Sequence, residues 1–228
     1  MKKRCLLVCQ GKISSAVVAQ VESTKAMNQF QLLANEYLSR NTNAFYHVPY
    51  ARMGNPGNPD YLNHLKNIFN NFPGQKLQSA AQDLRRVLQD DLPQILQSLG
   101  FDTMTVCVVP RAKAEESYHA NQQCFRSTVQ ATIVQIEGFA DGTSYIRRHT
   151  NTRTTHLRNQ VPNYINDGDQ PYPGITAETC EISPNVRGKN ILLVDDIYTP
   201  RVNVDEDAID ALLSVGARTV TFYAVGKV

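Results

Sequence analysis

The sequence predicts an α/β protein, with a doubly wound, mainly parallel sheet that carries an N-terminal, mostly helical hood. Three observations lead there. Residues 103–109 and 189–194 are built round short apolar runs, the pattern of strands buried on both faces of a parallel sheet. A helical pattern over residues 204–215 closes at Gly216 and leads into another apolar run at 219–225. Strand, helix and strand in that order make a parallel crossover, which is right-handed almost without exception.

The other elements follow along the chain. Residues 14–37 are weakly helical in pattern, with Ala16, Val17, Val21, Leu32 and Leu33 among the apolar positions. The turn-rich Met53-Gly54-Asn55-Pro56-Gly57-Asn58-Pro59 comes next, with Asn58 placed to cap a helix and Pro59 at its first position. That helix would present Leu62, Leu65, Ile68 and Phe69 on one face and end at Pro73-Gly74. A second helix is expected over 78–90, with Leu84, Val87 and Leu88 inward, and a short third one from Pro93 to Gly100. Past the strand at 103–109, a helical segment covers 121–136. The polar stretch 138–174 is too long for an ordinary connector, so it is either functional or mobile. The chain divides on this reading into a hood, 1–100, and an α/β core, 101–228. The hood carries no chemistry of its own beyond a polar loop with Arg52 and Asn55.

Composition narrows the function classes. The 228 residues suit one α/β domain with an elaborated flank, and the formal net charge of +2 supplies no field that would demand nucleic acid or a membrane. Cys5, Cys9, Cys107, Cys124 and Cys180 have no paired spacing, which argues against a disulfide framework or a zinc site and for a reducing, cytoplasmic setting. The apolar run after Lys2-Lys3-Arg4 stops at Gln10-Gly11-Lys12, short of a signal-peptide core, and no later run approaches a membrane span.

The chemistry concentrates after residue 190. Ile191-Leu192-Leu193-Val194 reads as a buried strand and Asp195-Asp196 as its C-terminal end, which in open α/β sheets is where ligands bind. Two adjacent carboxylates are costly to bury without partners, and vicinal ribose hydroxyls are donors that such a pair accepts from, directly or through Mg²⁺. The loop Thr199-Pro200-Arg201-Val202-Asn203 then enters a helix N-terminus, whose free N–H groups and dipole favour a phosphate. Together these describe a site for a phosphorylated pentose.

With its four hydrophobic residues, two acids, Ile197-Tyr198 and Thr199, this segment resembles the phosphoribosyl diphosphate signature of type I phosphoribosyltransferases. The nearer likeness is to their ComF-like and amidophosphoribosyltransferase-like branch, echoed by Val108-Val109-Pro110-Arg111, Asn121-Gln122, Arg147-Arg148-x-Thr150 and Leu157-Arg158-Asn159. The resemblance covers residues 101–228. It implies the type I phosphoribosyltransferase fold, Mg²⁺, and transfer of a phosphoribosyl group to a base or amine with loss of pyrophosphate. It assigns Asp195 and Asp196 to the ribose, Arg111 and Lys113 to the pyrophosphate, and the basic run with Arg147, Arg148, Arg153, His156 and Arg158 to a mobile lid. A pair of solvated loop charges and a basic contact loop are the plainer readings of those last two groups. Dimers are common in similar folds.

The loop departs from the family pattern. Where that pattern is Thr-Thr-Gly-x-Thr, Pro200 removes an N–H and Arg201 replaces the glycine that permits positive φ, at a cost of about 1–2 kcal/mol. Asn203 can cap the helix and donate to a phosphate, and Arg201 can offer a guanidinium in place of backbone donors. Intact acids favour an enzyme, and the altered loop favours a non-catalytic regulator that binds a nucleotide or phosphoribosyl diphosphate. A third reading keeps only the fold, as an interaction module.

Overall fold

A computed structural model describes residues 27–51, 53–155 and 164–228. The elements are β1 (Asn28–Leu32), β2 (Thr42–Pro49), α1 (Tyr61–Leu65), α2 (Gly74–Leu99), β3 (Met104–Val108), α3 (Cys124–Ile133), β4 (Phe139–Asp141), β5 (Ile146–Arg148), β6 (Cys180–Ile182), β7 (Asn190–Tyr198), α4 (Val204–Ser214) and β8 (Thr219–Lys227). Six strands form one sheet in the order β1-β2-β8-β7-β3-β4, and β5 and β6 make a separate antiparallel pair. Only β1 runs antiparallel to its neighbour; the other pairings in the large sheet are parallel. The protein is therefore α/β with a mostly parallel mixed sheet, as the apolar runs of β3, β7 and β8 require.

Each face of the sheet has its own core. Leu192 and Val194 of β7 pack with Leu84, Leu88, Leu92 and Ile95 of α2 and with Val129 and Ile133 of α3. Ile191 and Leu193 face the other way, against Ala208, Ile209 and Leu212 of α4. The stripe Leu84, Leu88, Leu92, Ile95 is fully buried, and side chains of this kind stabilise by about 1.5–3 kcal/mol each on burial.

Chain direction and helix placement fix the hand of the connections. Stepping from β3 to β4 through α3 moves outward on the α2 face, whereas β7 to β8 through α4 moves the opposite way on the opposite face. Opposite steps on opposite faces have the same hand, as the uniform hand of parallel crossovers demands. The order thus reverses between β3 and β7, and α3 and α4 diverge there.

Several expectations are corrected. Of the span 14–37 read as weakly helical, residues 14–26 lie outside the described residues, and the rest contains β1, in which Gln29 and Gln31 point outward and Leu32 is buried. β2 joins the sheet beside β8, with Ala44 opposite Phe222, so the described part of residues 1–100 shares its core with the rest and is not a helical hood alone. Its strand partner comes from the far end of the chain, which local pattern does not reveal. α1 ends at Leu65 instead of continuing past Phe69, with Asp60 and not Asn58 at its N-cap. Pro73 opens α2 instead of closing α1, where its missing N–H is not needed. α2 then passes through Pro93 without a break and stops at Gly100, whose φ of 66° is left-handed. Pro93 is exposed, so the carbonyl it leaves unpaired faces solvent. β7 runs on through both aspartates to Tyr198 instead of stopping at Val194. No described helix is long and apolar enough to cross a membrane.

Candidate functional site

The crevice lies where the strand order reverses. β7 pairs with β8 as far as Tyr198 but with β3 only as far as Val194, whose carbonyl accepts the Val109 N–H at 3.0 Å. Beyond that point β3 turns away at Pro110, and Asp195 and Asp196 stand at the open edge of β7, held by the β8 ladder. A cleft of about 620 Å³ opens there, with both aspartates, Thr199, Val202 and Asp205 along one wall. Arg111, Arg148, Arg153 and the segment after α1 form the others. A volume in this range accommodates a nucleotide-sized ligand.

A residue that sequence reading passes over occupies the centre. The Lys66 ammonium is ion-paired to both Asp195 and Asp196, the latter at 2.9 Å, and lies 5.1 Å from the centre of the Phe125 ring. Burial alone would push the Lys66 pKa down, but the two carboxylates outweigh it and the ammonium is held charged. Burial pushes Asp195 up to about 6 against the pull of Lys66. Asp196 is half-buried, and although desolvation pushes it up, Lys66 and the Ile197 N–H at 2.8 Å bring it below the usual carboxylate range. Asp205, in the first turn of α4, is buried, and burial, with the charge of the neighbouring Asp195, raises its pKa well above the usual value. One Asp205 oxygen has no hydrogen-bond partner among the described residues, and neither has one of Glu206, whose second carboxylate oxygen accepts from the Tyr198 hydroxyl at 3.0 Å.

The basic residues that the sequence marks as ligand-facing are held by the protein itself. The Arg111 guanidinium donates to the carbonyls of Lys66 (3.1 Å), Asn67 (3.0 Å) and Gln122, and stacks 4.2 Å from the Tyr118 ring centre. Arg148 is 3% exposed and donates to the carbonyls of Arg111 and Gly174, each at 2.7 Å. Lys113 is buried and pairs with the Asp167 carboxylate at 2.9 Å. Arg147 is exposed on β5, outside the cleft. The span assigned to a mobile lid is thus partly pinned: Arg148 is buried, and Thr152 donates its N–H to Ala112 at 2.7 Å. His156, Arg158 and the Leu157-Arg158-Asn159 echo lie outside the described residues, as does Arg52.

The loop 199–203 divides. Thr199 and Val202 line the cleft, whereas Pro200 and Arg201 are exposed and outside it. Arg201 has φ 70°, the left-handed conformation that glycine would adopt without strain. Asn203 does not cap α4 with its side chain; its carboxamide oxygen accepts from Asn35 at 3.1 Å. The positive end of α4 is answered instead by buried acids of its own first turn, Asp205, Glu206 and Asp207. Asp207 accepts the N–H groups of Gly174 (2.6 Å) and Ile175 (2.8 Å).

Two chemistries fit poorly. Burial raises the Cys107 thiol to about 12 and also raises Cys124 and Cys180, so none is poised as a thiolate. Lys66 takes one oxygen of each of Asp195 and Asp196, so a Mg²⁺ ion held directly by the pair would sit beside a like charge; the indirect role expected from the resemblance, through ribose hydroxyls or water, is not touched by this contact. Among the described residues no group of three His, Cys, Asp or Glu side chains is arranged to hold a metal. No protein-family model matches the chain, and no curated protein matches it.

Proposed function

We propose that the crevice between β3 and β7 binds a ribose 5-phosphate compound and that the protein is phosphoribosyltransferase-like, as the resemblance of residues 190–204 implies. The observation that carries this is the pair of carboxylates at the C-terminal end of a central parallel strand, facing a cleft of about 620 Å³ at the point where the strand order reverses. The carboxylates of Asp195 and Asp196 accept from vicinal ribose hydroxyls and orient the sugar. Their charge, partly offset by Lys66, also favours the positive character that a ribosyl ring develops as pyrophosphate leaves. With Lys66 bridging the two carboxylates, Mg²⁺ would be reached from them only through ribose hydroxyls or water, and no step is routed through it.

A second reading, a regulator that binds the same ligand without turnover, is favoured by a specific observation. Arg111 and Lys113, expected to receive the pyrophosphate, and Arg148, expected in the lid over it, are engaged within the protein: the two guanidinium groups donate to backbone carbonyls and Lys113 pairs with Asp167. Calorimetric titration with phosphoribosyl diphosphate, followed by assay of pyrophosphate release with purine and pyrimidine bases and with ammonia, tests both. Binding by the wild type that is lost in Asp195→Asn/Asp196→Asn supports the site. Release of pyrophosphate makes it a transferase, and binding without release makes it a regulator. A wild-type protein that binds nothing ends both readings.

A further inference from the structure

Resting on the ribose-binding reading, we propose that Lys66 takes the place of a divalent cation at the carboxylate pair, as a binding residue that makes ligand recognition there independent of Mg²⁺. Two adjacent carboxylates in a buried position need a cation, and here the chain supplies one. Lys66 spends one N–H on Asp195 and one on Asp196, and because it lines the cleft its third N–H is left for a ligand oxygen. A solvated surface lysine would not be built in this way. The carbonyl of Lys66 is fixed by Arg111, that of Asn67 by Arg111 and Gln122, and that of Ile68 by Gln122 at 2.6 Å. The Phe125 ring lies 5.1 Å from the ammonium. The backbone carrying the cation is thus clamped from the loop after β3 and the turn before α3, and the ammonium is positioned before any ligand arrives.

The clamp also explains the end of α1. The helix stops at Leu65, and the carbonyls of the next three residues are taken by Arg111 and Gln122. The side chain of Lys66 is aimed over the sheet edge at the point where the chain leaves the helix.

The test is calorimetric titration of the full chain with phosphoribosyl diphosphate, once in excess Mg²⁺ and once in EDTA, for the wild type, Lys66→Met and Lys66→Arg. The wild type is expected to bind with affinities within about threefold of one another in the two buffers. Lys66→Met should lose at least about tenfold in EDTA and recover part of it with Mg²⁺, because the freed carboxylates then take the ion. Lys66→Arg, which keeps the charge, should stay within about fivefold of the wild type in EDTA. A wild type that needs Mg²⁺, or Lys66→Met binding as the wild type does in EDTA, overturns the role of Lys66 while leaving ribose binding standing. Absence of binding in both buffers overturns the ribose reading and this one with it. Thermal unfolding of each variant checks the fold, and if Lys66→Met does not fold, the wild-type buffer comparison with Lys66→Arg decides.

Discussion

Replacing Arg111 separates a scaffold from a ligand-binding residue. The guanidinium ties the end of β3 to the segment after α1 and to the turn before α3 through three carbonyls and a face of Tyr118. Hydrogen bonds to a charged donor contribute about 1.5–3 kcal/mol each, so a simple sum over the three would be about 4.5–9 kcal/mol. That sum is too large, because Arg111 is only half-buried and water can reach carbonyls that lose it. We expect Arg111→Met, which keeps an apolar stem against Tyr118, to cost about 3–4 kcal/mol. Against a total stability of about 5–15 kcal/mol this is a large fraction. With a urea slope of about 2–3 kcal/mol/M for a chain of this size, the midpoint of equilibrium unfolding should fall by about 1–2 M. Arg111→Lys should lose more than half as much, since an ammonium cannot span three carbonyls from one planar fork. A midpoint change below about 0.3 M, together with a large loss of ligand affinity, would refute the clamp and return Arg111 to the ligand.

Other substitutions read other parts of the structure. Asp91, buried in the middle of α2, accepts from His47 at 3.0 Å and from the Tyr223 hydroxyl at 2.7 Å, so Asp91→Ala should destabilise by about 2–4 kcal/mol and Tyr223→Phe by only about 1 kcal/mol in urea unfolding. Equal losses would show that Asp91 does not organise the pair. Asp195 and Asp205 both have raised pKa values, so the folded state holds protons that the unfolded chain releases above about pH 4, and their contribution to stability falls as pH rises through and beyond about 6. Asp205→Asn should stabilise by about 1–2 kcal/mol at pH 8 and flatten that fall between pH 6 and 8; comparing it with the wild type cancels the opposite contribution of His64, whose pKa burial lowers. A difference that does not change with pH would contradict this. Arg201→Gly should relieve about 1–2 kcal/mol of left-handed strain, less about 0.5–1 kcal/mol of glycine entropy, and raise the melting temperature by about 1–3 °C with ligand affinity unchanged. A tenfold loss of affinity would place the Arg201 guanidinium on the phosphate.

What was legible in the sequence was what is local. β7, its two aspartates, the turn and α4 lie within 25 residues of one another, and each carries its own signal: apolar run, acids, helix start. Lys66 carries none. A lysine just after Leu65 at the end of a short helix reads as a surface charge, and only Arg111 and Gln122, 45 and 56 positions on, turn it inward. β1 and β2 were missed for a similar reason, since β2 finds its partner in β8 near the C-terminus. Pro73 and Pro93 misled in opposite ways. Proline is tolerated at a helix start and, on a solvent-facing turn, inside a helix held by a buried stripe such as Leu84, Leu88, Leu92 and Ile95, whose packing outweighs one lost hydrogen bond.

The two halves of the crevice differ in physical character, and this bears on what it holds. Asp195 and Asp196 sit on a strand fixed by a parallel ladder, with a cation already bridging them, so the half proposed to hold the ribose is preorganised. The half at α4 carries three buried acids in the helix's first turn, Asp205, Glu206 and Asp207, and the one cation in the loop, Arg201, is turned outward. A phosphate there meets Asp205, and the sign of that encounter depends on a proton. Ionised, Asp205 repels the phosphate in a partly dry cleft; protonated, as its raised pKa favours, it can donate a hydrogen bond to a phosphate oxygen. The proton that stabilises the fold therefore also admits the anion. Ribose 5-phosphate should lose affinity at the pH where Asp205 ionises while ribose itself does not, and Asp205→Asn, fixed in a neutral state, should keep only the change that the phosphate's own second ionisation, at about pH 6, gives both proteins.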